Sequence, residues 1–473
     1  MTIHRETQDL LNCVEDVIRV EDGTVVIEDE ALLRASVTDE LIYNAVFASD
    51  DVKATARWLL WEMGQELGIQ PASINELYLA RGRGETKGQW TVPAMNLRGM
   101  AYDMARAVFQ AAQPRKVGAM IFEIARSEMG YTGQPPAEYA SVLLAAAIRE
   151  GYRGPLFIQG DHFQVNPGKY TESIDTELEA LEELIEQSID AGFYNIDIDT
   201  STLVDLSRST ITEQQRTNFE LSARFTKVIR ELEPEGITIS VGGEIGEVGG
   251  KNSTPEELRG YMDGYYEALP GGMAGLSKIS IQTGTSHGGV VLPDGSLAQV
   301  KIDFDVMRRL SNIARDEYGM GGAVQHGAST LPEEAFHKFP EEGCLEIHLA
   351  TGFQNIIYEH PAFPTDLRER IYVYLREKHG HRWKEDQTEE QFIYDNRKRA
   401  FAAFKQQVWD IRSDARGEIR EALRDKFAFL FDQLNAGNTR DLVRDHVNVP
   451  QLHRDLSDFA VGDKTAADAE LAD

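Results

Sequence analysis

The feature that most constrains the fold of this chain is a rhythm of short, β-branched apolar runs separated by stretches of helical periodicity. Eight such runs occur: WTVPAM (90–95), KVGAMIFEIA (116–125), GPLFIQG (154–160), FYNIDIDT (193–200), ITISVGG (237–243), LSKISIQTG (276–284), GGAVQHG (321–327) and CLEIHLAT (344–351). Between them lie NLRGMAYDMARAVFQAA, YASVLLAAAIREG, DTELEALEELIEQSIDAG and RTNFELSARFTKVIREL, with apolar residues at helical spacing. Strands that alternate with helices imply a parallel sheet, because each crossover must return the chain to the same end. Eight in succession predict an α/β fold, a closed (β/α)8 TIM barrel; an open doubly wound sheet is the alternative. Thr254 with Pro255 and Glu257 reads as a capping box, and Ser329 or Thr330 before Pro332-Glu333-Glu334 as a second helix start.

The rhythm begins near residue 89 and ends near 358, which divides the chain into three parts. Residues 1–88 read as a mostly helical N-terminal extension closed by the Gly-rich ARGRGETKGQ, 89–358 as the catalytic barrel, and 359–473 as a charged, amphipathic helical C-terminal extension. Its last stretch, VGDKTAADAELAD, is small, polar and acidic and is expected to fray. With 78 acidic against 48 basic side chains the net charge is −30, which argues against nucleic acid or an anionic membrane as partner. Two distant cysteines, Cys13 and Cys344, exclude a disulfide framework and a Cys-rich zinc cluster. The N-terminus carries no secretory pattern, and the richest apolar run, SVLLAAAI (141–148), reads as a core helix and not a membrane span. The expectation is an acidic cytoplasmic enzyme with a small-molecule substrate.

Barrel enzymes carry their chemistry at the C-terminal ends of the strands. The third run ends in Gly160-Asp161-His162, the fifth in Gly242-Gly243-Glu244, the sixth runs on to His287 in GTSHGG, and the seventh to His326 in QHGAS. Three histidines and a carboxylate thus converge from four strands, a donor set suited to a divalent metal with one open position. Spacing does not separate zinc from cobalt, manganese or iron. The turns His287-Gly288-Gly289 and His326-Gly327-Ala328-Ser329 offer backbone N–H groups to an anion, and Ser329 is expected at a helix N-terminus. Asp161 is the expected proton-handling group. Asp197 and Asp199 share one strand face, one expected to orient a ligand or loop and the other to be structural.

These residues resemble the class II, metal-dependent fructose-bisphosphate aldolase family. The similarity runs over roughly residues 90–356 and carries VPAMN (92–96), GDH (160–162), IDTS (198–201), GEIGEVGG (243–250), GTSHGG (284–289) and HGAS (326–329) in order. It implies zinc on His162, His287 and His326, with Glu244 as a further or alternative ligand, a monovalent cation, and Asp161 acting on the C4 hydroxyl proton. It further implies Gly288, Gly327 and Ser329 around a phosphate, retro-aldol cleavage of a ketose (bis)phosphate such as fructose 1,6-bisphosphate through a metal-held enediolate, and a homo-oligomer. Where the family has an Asn in its eighth strand this chain has His348, followed by Ala350 in place of an Asp and by a retained Thr351. A lysine is missing from GGVVLPDG, and Lys251-Asn252 replaces an acidic pair.

A second resemblance covers the first half. FEIARSEMGYTGQPPAEYA (122–140) and GDHFQVNPGKY (160–170) are similar to the non-catalytic subunit of tagatose-bisphosphate aldolase and its sugar-epimerase relatives, so that Glu123 and the GYTG loop (130–133) shape a different sugar pocket. Three further readings stay open: a metal-dependent ketose or ketose-phosphate epimerase with His348 as an added acid/base, a Schiff-base aldolase using Lys278, and a non-catalytic aldolase-supporting subunit. For Lys278 a place at the bottom of the barrel is the better reading. A sugar-phosphate anion also requires local positive charge, from metal, turn amides, His348 or Lys251, to offset the −30 background.

Overall fold

The structure is a computed structural model and describes residues 1–21, 23–245, 251–284, 302–329 and 331–460. The eight apolar runs form eight strands: β1 Val92–Asn96, β2 Ile121–Ala125, β3 Gly154–Gln164, β4 Asn195–Asp199, β5 Ser240–Glu244, β6 Lys278–Ile281, β7 Ala323–Gln325 and β8 Glu346–Leu349. Every neighbouring pair is parallel, and β8 pairs back to β1 with Ile347 opposite Pro93. The sheet is therefore closed, a (β/α)8 barrel with helical extensions, and not an open doubly wound sheet.

Helices Ala101–Ala112, Pro136–Glu150, Ile174–Asp190, Ile211–Leu232, Pro255–Ala268 and Phe304–Asp316 surround it. The Thr254 capping box forms as expected, its hydroxyl accepting from Glu257 N. Helix Pro136–Glu150, which carries SVLLAAAI, is apolar on nearly all sides because N-terminal helices Thr38–Phe47 and Asp50–Glu66 pack on its outer face. Of the helix expected to start at Ser329 or Thr330, Thr330 lies outside the described residues and no helix begins at Ser329. A short 3-10 turn, Glu333–Ala335, and a one-turn helix, Lys338–Glu341, follow, and the Ser329 hydroxyl accepts instead from the Ala350 backbone N–H. Pro332 lacks an N–H, and the serine is already committed across to the β8 loop.

The N-terminal extension contains two elements that helical periodicity conceals. One is a hairpin, Ile18–Glu21 with Thr24–Ile27; the other is strand Ile69–Pro71, which runs parallel to the first residues of β3 outside the barrel. Helix Asn75–Gly82 then plugs the bottom of the barrel, where Ile74, Leu77 and Tyr78 join Val92, Ala94, Ile121 and Phe157 in a closed apolar cluster. The C-terminal extension clasps the barrel from the side and from both ends. Helix Ser413–Gln433 lies along helix Ala101–Ala112, and Thr439 Oγ1 accepts from Gly118 and Ala119 N at 3.0 Å below β2. Among the described residues no helix is long and apolar enough to cross a membrane.

Candidate active site

The site begins with a fault in one strand. Between Gly160 and Phe163 the register of β3 against β4 shifts, and His162 takes φ = 39°, in the left-handed region. A non-glycine residue there costs about 1–3 kcal/mol and persists only where its surroundings fix it. The bulge turns two consecutive side chains, Asp161 and His162, toward the barrel mouth, which regular alternation would forbid.

His162 Nδ1 lies 3.1 Å from Asp199 Oδ2 and 3.2 Å from Glu244 Oε2. Asp199 is itself fixed by Gln164 Nε2 at 2.6 Å and by the Ser201 hydroxyl at 2.7 Å. The His326 ring is 4.4 Å from that of His162 and 4.0 Å from that of His348, centroid to centroid, so three imidazoles stand in a row. Ser280 Oγ, 2.9 Å from His326 Nε2, orients the middle ring. Asp161 Oδ1 sits among all three, 3.1 Å from His348 Nδ1, 3.9 Å from His162 Nε2 and 4.0 Å from His326 Nδ1. Glu123 reaches His348 Nδ1 from β2 at 2.9 Å.

Beneath this row lies a second polar layer. Lys278 Nζ contacts Glu346 Oε1 at 2.6 Å, Gln159 Oε1 at 2.7 Å and Asp197 at 2.9 Å, and Tyr78 from the plug helix donates to Glu346. Glu346 Oε1 is also 2.7 Å from His348 Nε2, so the two layers are joined. Burial opposes charge on Lys278, but Asp197 and Glu346 outweigh it and raise its pKa. A fully buried ammonium clamped by two carboxylates is not a Schiff-base nucleophile, and Lys278 sits at the bottom start of β6. Of the strand-4 pair, Asp199 orients His162 while Asp197 pairs with Lys278.

Carboxylates and imidazoles crowd the strand ends. The described residues of the eight strands carry six buried carboxylates, Glu123, Asp161, Asp197, Asp199, Glu244 and Glu346, against one lysine. Burial pushes Glu123 up to about 8, whereas Glu346, despite its burial, is held down to about 2 by Lys278 and His348. Burial also opposes charge on His162, and Asp161 and Glu244 reverse that and raise its pKa. Ligand atoms of His162, Glu244 and His326 lie within 4.8 Å of one another, as do those of Asp161, His326 and His348. Asp197, Glu346 and His348 meet the same criterion, but Lys278 already neutralises that group. Mixed imidazole and carboxylate donors, each oriented by an outer partner such as Asp199 or Ser280, suit zinc or a similar divalent ion.

Of the residues singled out in the sequence, Asp161, His162, Glu244, His326 and His348 thus meet at one mouth. His287 and Gly288 lie outside the described residues. Gly327 follows His326 with φ = 67°, and Thr351 Oγ1 accepts from Arg98 Nη2 at 3.3 Å at the start of helix Thr351–Glu359. Lys251 is exposed. Sequence reasoning missed Glu346, Ser280 and Arg98. The signal for Glu346 was a carboxylate inside an otherwise apolar strand run, CLEIHL, as Glu123 stands in MIFEIA.

Comparison with known proteins agrees with this architecture. No curated protein sequence matches the chain. Among solved structures, the glycerol-complexed fructuronate-tagaturonate epimerase UxaE from Cohnella laeviribosi is similar over 89% of this chain and 90% of its own, with 12% identity and a TM-score of 0.55. A probable tagatose 6 phosphate kinase from Sinorhizobium meliloti 1021 is similar over 80% and 97%, with 18% identity and a TM-score of 0.51. The YdjI aldolase from Escherichia coli K12 aligns over 78% and 99%, with 14% identity and a TM-score of 0.47. The first two, at TM-scores of 0.55 and 0.51, share the fold of this chain, and at their low identities the likeness is one of fold alone. The sequence model for fructose-bisphosphate aldolase class-II matches residues 84–415, which include the whole barrel and every strand-end residue described above, so the chain belongs to the class-II fructose-bisphosphate aldolase family.

Proposed function

We propose that this protein is a divalent-metal-dependent lyase that breaks and re-forms the carbon–carbon bond beside the carbonyl of a ketose or ketose phosphate. The observation that carries this reading is the placing of Asp161 Oδ1 within 4.0 Å of three imidazoles. His162, Glu244 and His326 are the residues that would hold the metal, zinc in the first instance, with His287 as a further ligand. A divalent ion there supplies Lewis-acid polarisation of the substrate carbonyl.

The chain's own residues do the rest. Asp161 accepts the proton of the hydroxyl whose carbon leaves, and His348, 3.1 Å away, stabilises the carboxylate that must do so. Asp199 and Ser280 keep the His162 and His326 rings in place, which holds the donors still as charge develops. Gly327 and Ser329 follow β7 and Thr351 follows β8, so these three would meet the substrate's far end, with Gly288 added by the family resemblance alone. Metal analysis of the purified protein, followed by assay on fructose 1,6-bisphosphate, tests the reading. Chelation is expected to abolish triose release, and zinc or cobalt to restore it. A fully metallated protein that neither cleaves nor isomerises any ketose or ketose phosphate overturns it.

One observation favours a second reading, a C4 epimerase. His348 touches Asp161 and Glu123 through Nδ1, so two further proton-exchanging groups adjoin the residue that takes the hydroxyl proton. Cleavage followed by re-addition to the opposite carbonyl face needs such a pair. Product analysis by NMR separates the two, triose products marking an aldolase and a C4-inverted ketose an epimerase.

A further inference from the structure

The three parts of the chain meet outside the barrel, around a cavity of about 260 Å³. Helices Pro136–Glu150 and Ile174–Asp190 of the barrel line it, together with helix Asp50–Glu66 and with Arg454, Asp458 and Phe459 of the C-terminal extension. A water needs only about 10–15 Å³ of such space, so the cavity admits a small organic molecule. The C-terminal segment is fixed there through its backbone. Trp61 Nε1 donates to Leu452 O at 2.7 Å and Trp58 Nε1 to Arg454 O at 2.8 Å. The side chains of Gln65 and Glu62 accept in turn from Leu452 N at 2.8 Å and Arg454 N at 2.9 Å.

Held in this way, Arg454 lays its guanidinium over two aromatic rings, 5.2 Å from the centre of Trp61 and 4.8 Å from that of Phe459. Its Nη1 donates to Asp190 O, and its Nε lies 3.8 Å from Asp458 Oδ2. The molecule thus seats a guanidinium of its own at the edge of the cavity, by cation–π contact and by carboxylate.

The rest of the cavity has the same character. Trp61, Pro136, Ala140, Leu144 and Phe459 give it apolar walls. Its charged lining is four carboxylates, Glu183, Glu186, Asp190 and Asp458, against two guanidinium groups, Arg57 and Arg454. Arg57 Nε is already committed to Ala45 O at 3.0 Å. Glu183, Glu186 and Asp190 stand at i, i+3 and i+7, on one face of helix Ile174–Asp190. That helix has no basic residue in its last turn, so these carboxylates and the negative end of its dipole add. Among the described residues neither Glu183 nor Glu186 forms an ion pair. An anion would meet repulsion here, and a neutral ligand would leave both carboxylates uncompensated.

We infer that this cavity is a binding site for a small organic cation, a guanidinium or primary amine on a short hydrocarbon stem. The stem lies against Trp61 and Leu144, and the charge meets Glu183 and Glu186. The site stands outside the barrel and does not depend on the chemistry of the imidazole row. The test is calorimetric titration of the full-length protein with n-butylguanidinium, and with n-butanol as the neutral control. One variant joins Glu183→Gln to Glu186→Gln. A second joins Glu385→Gln to Asp386→Asn, which removes the same charge from exposed positions elsewhere in the C-terminal extension. The cation is expected to bind the unaltered protein and the second variant alike, and the first variant about fivefold or more weakly. Bound cation is also expected to slow amide exchange in residues 452–459, a reading that needs no variant. Three results overturn the site: no binding of the cation to the unaltered protein, equal weakening in both variants, or n-butanol binding as tightly as the cation. Amide exchange in 452–459 that is unchanged by saturating cation overturns it as well.

Discussion

Lys278 Nζ lies 2.6 Å from Glu346 Oε1, and neither side chain has any contact with solvent. The pair crosses the barrel interior and sets the level on which the imidazole row stands, since Glu346 also holds His348 Nε2 at 2.7 Å. Removing one partner of a buried pair leaves the other uncompensated, typically at a cost of about 3–5 kcal/mol. Lys278→Met is therefore expected to lower unfolding stability by about that amount, measured by chemical denaturation at neutral pH. The sign with pH follows from Glu346. Its carboxyl is held down to about 2 from 4.5, which contributes stability above 4.5 that is lost as pH falls toward 2. The variant loses the share that Lys278 supplies and keeps that of His348, so its stability changes less over this acid window.

Gly242 is the position on β5 that lets Lys278 and Asp197 meet from the strands on either side. A Cβ there would lie 2.3 Å from Asp197 Oδ1 and 3.0 Å from Lys278 Cε. Gly242→Ala is expected to destabilise the fold by about 3 kcal/mol or more by forcing apart the buried Lys278–Asp197 pair. Gly271→Ala, where nothing lies within 4 Å of the added carbon, is the control and is expected to stay within about 0.5 kcal/mol of the unaltered protein.

These two positions show what was and was not legible in the sequence. The eight strands were, because a barrel strand buried on both faces must be a short apolar run whatever its neighbours are. Asp161, His162 and His326 were legible because strand ends converge by geometry alone. The bulge that lets both Asp161 and His162 face inward was not, since it depends on the register of β3 against β4. Lys278 could be placed low in the barrel, but its partners come from strands far along the chain, and no spacing rule links residue 278 to 197 and 346. The Ser329 helix start misled because the cap pattern is local, whereas the hydroxyl is taken by Ala350 from another loop. The path of residues 397–405, which pack Phe401 on Gly99 and Ala402 on Gly133, was hidden for the same reason. Their charges read as the solvated face of an amphipathic helix until Gly99 and Gly133 give them a place to lie.

His348 decides between the two chemistries. Replacement by Asn, the residue the aldolase resemblance places in the eighth strand, removes the imidazole that touches Asp161 and Glu123. If epimerisation uses that imidazole as acid/base, His348→Asn is expected to slow formation of the C4-inverted ketose by about 10²–10⁴-fold while triose release persists. Time-resolved NMR of one reaction mixture reads both products. Equal loss of the two would make His348 a positioning group for Asp161 and not a separate proton donor.

Gly99 holds the C-terminal extension against the β1 loop. An added methyl at Gly99 meets the Phe401 ring at 2.2 Å and sits at a positive φ that disfavours alanine. Gly99→Ala is expected to lower unfolding stability by about 1–3 kcal/mol through overpacking and to leave bound metal unchanged, because no proposed metal ligand touches it. Chemical denaturation and metal analysis on the same preparation give both values.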